Sequence, residues 1–255
     1  MAELTPLPFD SRTIVVTGAS SGIGRAVVVE LSRQGADVIL IGRNRAELDR
    51  TCALLEGRPA HIVELDLLES DSLGQQIRDV ARQHGRLYGL CHCAGLVETR
   101  PLSSFDHRAF RTMMDVNLVA GIELARAVSR RDVIAEDGGS LLLIASIYGW
   151  VGMPGQIGYC ATKGGVLAAA RAMAVELARR KIRVNTLSPG LVRTPMTQRA
   201  VAQLSPDQAK DLEQAYPLGP GEPEDVARAA AFLLSPANAW ITGTDLVIDG
   251  GYSAR

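Results

Sequence analysis

Seven short runs rich in Val, Ile and Leu recur along the 255 residues, and longer stretches with helical periodicity separate them. Runs that apolar are buried on both faces, which describes the strands of a parallel sheet covered by crossover helices. The runs fall at 13–17, 37–42, 60–65, 87–93, 139–146, 183–187 and 245–248, and the helical segments at 22–34, 45–56, 70–84, 106–134, 156–180 and 222–234. This alternation predicts an α/β chain with a doubly wound, seven-stranded parallel sheet and helices on both faces.

No internal repeat, low-complexity tract or dividing linker interrupts the pattern, so a single domain over 1–255 is expected. The segment 194–220 breaks the βα rhythm with Pro195, Pro206, Pro217 and Pro220 and a short polar helical piece at 206–216. An insertion beyond a strand's carboxyl end lies where ligands bind, and it is expected to act as a lid. The 27 basic and 28 acidic residues leave a formal charge of -1. No net field therefore favours nucleic acid or an anionic membrane. The start, MAELTPLPFD, lacks the basic and apolar regions of a secretory signal, and no apolar run is long enough to span a bilayer, so a soluble, cytoplasmic protein is expected. Cys91 and Cys93 share one face of a strand, a poor arrangement for a mutual disulfide, and buried free thiols are expected throughout, with no metal site.

Directly after the first run comes Thr17-Gly18-Ala19-Ser20-Ser21-Gly22-Ile23-Gly24, leading straight into a helical segment. Glycines there let the turn tighten and the backbone approach a pyrophosphate, whose charge meets the positive end of the helix. The loop resembles the T-G-x-x-x-G-x-G signature of short-chain dehydrogenases/reductases, and later motifs extend the resemblance over essentially the whole chain. The resemblance implies a single-domain Rossmann fold binding a nicotinamide dinucleotide, with Gly18, Ser20, Ser21, Gly22, Ile23 and Gly24 at the pyrophosphate and Asp66 and Leu67 at the adenine. Ala94 and Gly95 of His92-Cys93-Ala94-Gly95 would admit the ribose and nicotinamide, and His92, where the family commonly has Asn, would tie the central strands. Pro189, Gly190, Val192 and Thr194 match the segment contacting the carboxamide. The second strand ends Gly42-Arg43-Asn44, without the carboxylate that would accept bonds from an unphosphorylated ribose, and Arg43 suits a 2′-phosphate. NADP(H) is favoured, while NAD(H) stays open because Ser21 stands where several NADP-using relatives carry a second basic residue.

Tyr159 and Lys163 are four apart at the start of a helical segment and so share a face, which brings a cation toward the phenol and shifts its pKa down from ~10. Ser146 ends an apolar run 13 residues before Tyr159, the offset found in the family, and Asn117 matches the family's helix asparagine, which holds a water leading to the lysine. The resemblance thus implies an Asn117-Ser146-Tyr159-Lys163 tetrad. Ser146 would polarise a carbonyl, Tyr159 would transfer the proton, Lys163 would also bind the ribose, and the nicotinamide would exchange hydride with the substrate carbon.

Tyr148, Trp150, Met153 and Met196 suit either a partly aromatic substrate pocket or ordinary core packing. The overall pattern resembles 3-oxoacyl-carrier-protein reductases, but the positions of their carrier-docking arginines fall near Asp137 and Val175. A small ketone or secondary alcohol is the expected substrate, with a 3-oxoacyl thioester, or a non-catalytic dinucleotide sensor, as alternatives. Ala161, Gly164, Gly165, Ala168, Ala169 and Ala172 along one helix would admit a symmetry-related helix, and the resemblance implies a homotetramer.

Overall fold

The computed structural model describes residues 8–56, 60–202 and 204–254, so most of the amino-terminal segment read above, 1–7, lies outside the described residues, as does Gln203 in the 194–220 insertion. Seven strands, β1 (Thr13–Thr17), β2 (Asp37–Gly42), β3 (Ala60–Glu64), β4 (Gly89–His92), β5 (Gly139–Ile144), β6 (Ile182–Pro189) and β7 (Asp245–Ile248), pair in the order β3-β2-β1-β4-β5-β6-β7. Every pairing is parallel. The chain winds outward from β1 to β3, returns to the middle at β4 and winds the other way. That reversal opens a crevice beyond the carboxyl ends of β1 and β4, the ligand position of an open α/β sheet.

The strands' period of two feeds two separate cores. Val15, Ile39, Ile41, Leu90, Leu141 and Val184 face one side, under α3 (Ser70–His84), α5 (Ala120–Val128) and α6 (Ile157–Leu177). Ile14, Val16, Val38, Leu40, Leu142 and Leu187 face the other, under α1 (Gly22–Arg33) and α9 (Pro223–Leu234). Burying both faces is why the central runs are mostly apolar, and the polar residues β6 buries, such as Arg183 and Asn185, find hydrogen-bond partners. The buried Arg183 is matched by geometry: its guanidinium donates to the carbonyls of Leu233, Leu234 and Ser235, capping the negative end of α9.

Three segments depart from the periodicity reading. The predicted 106–134 helix is α4 (His107–Met114), a π-helical turn (Asp115–Val119) and α5, after which the chain leaves the helix. It does so to pair with Leu87, whose N–H donates to the Val133 carbonyl at 2.8 Å and whose carbonyl accepts from Ala135 at 2.8 Å. The segment at 45–56 shortens to α2 (Arg45–Cys52). The insertion after β6 holds two helices, α7 (Pro195–Val201) and α8 (Pro206–Gln214); α7 has a Thr194 capping box and Pro at its first position, a start signal the polar pattern obscured. No described helix is long and apolar enough to cross a membrane.

Candidate active site

The crevice is a cleft of about 400 Å³ running from Arg43 and Asp66 past the Gly-rich turn to Ser146, Tyr159 and Lys163. Its floor is the β1–α1 turn. Gly18 holds φ +64°, and a Cβ there would stand 2.9 Å from the Ala94 backbone; at Gly24 it would stand 2.2 Å from the Gly18 carbonyl. Only glycine lets β1, β4 and α1 meet this closely. Ser21 precedes α1 in an extended conformation, and its hydroxyl does not cap the first turn. The positive end of α1 therefore faces the cleft without a side-chain acceptor, a fit for a pyrophosphate.

All the cofactor-contact candidates except Asn44 line this cleft. Asn44 lies in an adjoining shallow depression with Ser20, Arg43 and Arg45, where its side chain caps α2 by accepting from the Glu47 N–H. Arg43 reaches Asp66 at 3.8 Å, with both side chains exposed. Such a pair is worth little in water and leaves the guanidinium free to turn toward a stronger anion.

At the other end, the β5 terminus and the α6 start converge. Ser146 is extended and accepts from the Tyr148 N–H at 3.2 Å, and its hydroxyl lies near enough to the Tyr159 phenol to favour the phenolate. Lys163 is buried, and its ammonium donates to the Ile144 carbonyl at 2.7 Å, standing 5.6 Å from the centre of the Tyr159 ring. The pKa values depart from the helix-face expectation. Burial raises the Tyr159 phenol to about 12, against the pull of Ser146, and lowers Lys163 to about 8. In the chain alone desolvation outweighs attraction, because the lysine is directed at a carbonyl instead of the phenol oxygen.

Asn117 sits in the π-helical turn, a local irregularity that recurs at functional sites. Its amide clamps a loop beside the cleft: Oδ1 accepts from the Leu96 N–H at 2.7 Å, and Nδ2 donates to the Leu96 carbonyl at 2.9 Å and the Thr162 hydroxyl at 3.1 Å. The side chain is thus committed to the loop and not to Lys163.

His92 explains how that turn is held. Its Nε2 lies 3.2 Å from the Val116 carbonyl, which can only accept, so Nε2 carries the proton and Nδ1 accepts from the Thr17 hydroxyl at 2.9 Å. Thr17 accepts in turn from the Ala94 N–H at 3.2 Å, joining β1, β4 and the π turn as a strand tie in which imidazole stands for an amide. Burial, with Lys163 nearby, lowers the His92 pKa to about 4. Between that value and the unfolded ~6.5, the unfolded chain binds the extra proton, so stability falls as pH drops through this window, by at most about 3 kcal/mol. His92→Asn should lose this acid sensitivity, so the wild-type-minus-variant difference in urea midpoints should become smaller or more negative as pH falls from 7 to 4. Parallel curves would show that His92 contributes nothing to acid sensitivity.

Leu96, Thr112, Val116 and Arg199 line the cleft without having been singled out in the sequence, since no motif marks them, and Cys93, read there only as a buried thiol, lines it too. Of the aromatic and Met candidates, only Met196 lines it. Trp150 is exposed and donates to Asp245 at 2.6 Å, while Tyr148 packs edge-on against Tyr159 at 6.4 Å between ring centres. The four cysteines are free; only Cys91 is fully buried, with its Sγ 3.4 Å from that of Cys93.

The comparisons with known proteins agree with this geometry. A family model described as enoyl-(acyl carrier protein) reductase matches residues 18–253. The 3-oxoacyl-[acyl-carrier-protein] reductase FabG of Thermotoga maritima is 32% identical over 246 residues, 95% of this chain and 98% of the relative. The cis-4-hydroxycyclohexanecarboxylate dehydrogenase of Sinomonas cyclohexanicum is 35% identical over 249 residues, 96% of this chain and 98% of the relative. The solved structure of a short-chain type dehydrogenase/reductase from Mycobacterium ulcerans superposes with a TM-score of 0.89 at 33% identity, covering 97% of this chain and 91% of that one. With its Gly-rich crevice, its Ser-Tyr-Lys cluster and relatives matched from end to end, the chain belongs to the short-chain dehydrogenase/reductase family.

Proposed function

We propose that this oxidoreductase interconverts a small secondary alcohol and its ketone with NADP(H), using Tyr159 as the proton donor and acceptor. The observation that carries the reading is the convergence of Ser146, Tyr159 and Lys163 at one end of a cleft whose other end presents Arg43. A bound nicotinamide supplies or accepts the hydride. The chain's own part is to orient the carbonyl with the Ser146 hydroxyl, to hold a transferable proton on the Tyr159 oxygen, and to keep Lys163 buried beside it. Asn117 keeps the Leu96 loop against the site, and Gly18, Gly22 and Gly24 hold the dinucleotide near α1. Thr194, whose Cβ lies 3.2 Å from where a Gly22 Cβ would be, brings the 194–220 insertion over the cleft as a lid.

A 3-oxoacyl-carrier-protein substrate fits less well. Asp137 is held by both guanidinium nitrogens of Arg12, at 3.0 and 2.7 Å, and Val175 is 81% exposed, so neither position offers a cation to an acidic carrier. A non-catalytic sensor would have no need of Ser146 and Lys163 gathered beside the Tyr159 ring. The proposed assembly is a homotetramer. Ala161, Ala168, Ala172 and Val175 are exposed on α6, near partly exposed Val119 and Ile122, whereas the Cβ position of Gly165 points into Leu118 and belongs to packing within the subunit.

Screening ketones, 3-oxoacyl thioesters and secondary alcohols with both cofactors tests the reading. Small ketones and alcohols should turn over with a higher kcat/KM for NADPH than for NADH. Exclusive turnover of acyl-carrier thioesters would transfer the chain to the other reading, and dinucleotide binding without turnover of any class would make it a sensor.

A further inference from the structure

Around the mouth of the cleft the guanidinium groups are paired with carboxylates, with one exception, while Lys163 at the inner end is held on the Ile144 carbonyl. Arg43 faces Asp66 at 3.8 Å, Arg25 pairs with Glu47 at 2.9 Å beneath the Gly-rich turn, and Arg193, at the root of the insertion, pairs with Glu222 at 2.8 Å. Arg199 of α7 lines the same cleft and is exposed, and among the described residues it has neither an ion pair nor a hydrogen bond. Its position follows from the helix. Pro195 Cδ lies 3.8 Å from where a Gly22 Cβ would be, so the first turn of α7 rests on the Gly-rich turn. Arg199 is four residues on, hence on the same face and about one turn further along the cleft. The lining agrees: Pro195, Met196, Thr197 and Arg199 face the cleft, while Gln198 and Ala200 do not.

We infer that Arg199 is a diphosphate-binding residue, which holds α7 down over the dinucleotide opposite the positive end of α1. This rests on the reading of the cleft as a dinucleotide site. A guanidinium meets two phosphate oxygens at once, and α1 supplies only backbone donors from the opposite wall. An anion held from both walls ties the insertion to the sheet, so cofactor binding and lid closure become one event. The diphosphate is common to NADPH and NADH, so Arg199 contributes affinity without discriminating between them. A carboxylate on a substrate offers the same anionic chemistry, and the experiment separates the two.

Wild type, Arg199→Gln and Arg199→Lys are titrated with NADPH and NADH by nicotinamide fluorescence at low and at physiological salt, alongside KM values for a neutral ketone and for a keto acid. Arg199→Gln should raise Kd for both cofactors by the same factor, about 10-fold, and reduce its salt dependence, with Lys recovering part of the loss. The exposed position predicts an unchanged melting temperature without cofactor. Unchanged cofactor Kd values overturn the inference. So does a loss confined to NADPH, which places Arg199 at the 2′-phosphate, or one confined to the keto acid's KM, which places it on substrate. A wild type that binds neither dinucleotide overturns the reading of the cleft itself.

Discussion

Tyr159→Phe is expected to lower turnover by at least ~10²-fold, the lower range for losing a positioned acid or base, while fold and cofactor affinity persist. Phenylalanine keeps the ring that packs edge-on against Tyr148, and only the phenol oxygen near Ser146 disappears. Lys163→Met should differ in kind. It removes the buried cation and its bond to the Ile144 carbonyl, so cofactor binding should weaken together with the rate. The pH dependence gives a separate check. With burial holding the phenol near 12, the phenolate needed for alcohol oxidation is a minor species at neutral pH and grows as pH rises. Oxidation should therefore climb with pH across the range 6–9, up to tenfold per unit, whereas reduction uses the protonated phenol and should not climb. The two rates, measured with cofactor saturation followed by fluorescence, decide the matter. A Phe variant turning over at near wild-type rate with cofactor bound would remove Tyr159 from the chemistry, and oxidation that falls with rising pH would do the same.

Arg43→Asp should reverse the cofactor preference. Wild type is expected to use NADPH better than NADH, and losing a charge-assisted phosphate contact costs about 1.5–3 kcal/mol, or roughly 10- to 150-fold in kcat/KM. The new carboxylate also repels a 2′-phosphate and accepts from a free ribose hydroxyl. Position 43 suits the test better than Gly42, where a Cβ would stand 3.2 Å from Leu48 and would change packing along with charge. The Asp66 partner lies at 3.8 Å between exposed groups, so little stability is lost with Arg43. An equal or better kcat/KM with NADH in the wild type would overturn the assignment to NADP(H), and an unchanged preference in the variant would remove Arg43 from it.

The sheet and the outline of the site were legible because they rest on short-range patterns. Apolar runs at 13–17, 37–42 and 245–248 coincide with β1, β2 and β7; burial on both faces leaves that signature in β1 and β2, and even the half-buried edge strand β7 keeps it. The Gly-rich turn was legible for a similar reason, as strand, turn and helix follow one another directly in the chain. Ser146, Tyr159 and Lys163 could be placed together because a strand end and the next helix start meet at one edge of such a sheet. Long-range packing decided the rest. The π turn that interrupts the 106–134 segment is held by His92 from β4, 24 residues away, and no periodicity encodes that bond. Lys163 turns to a β5 carbonyl, Asn117 closes on Leu96, Trp150 swings out to Asp245 and Arg199 comes to rest on the cleft. Each of these is a contact between elements far apart in the chain, where direction and burial depend on what the folded neighbours leave open. Spacing along the sequence determined which residues could share the site; the packed sheet and helices determined where each one points and whether its charge is matched.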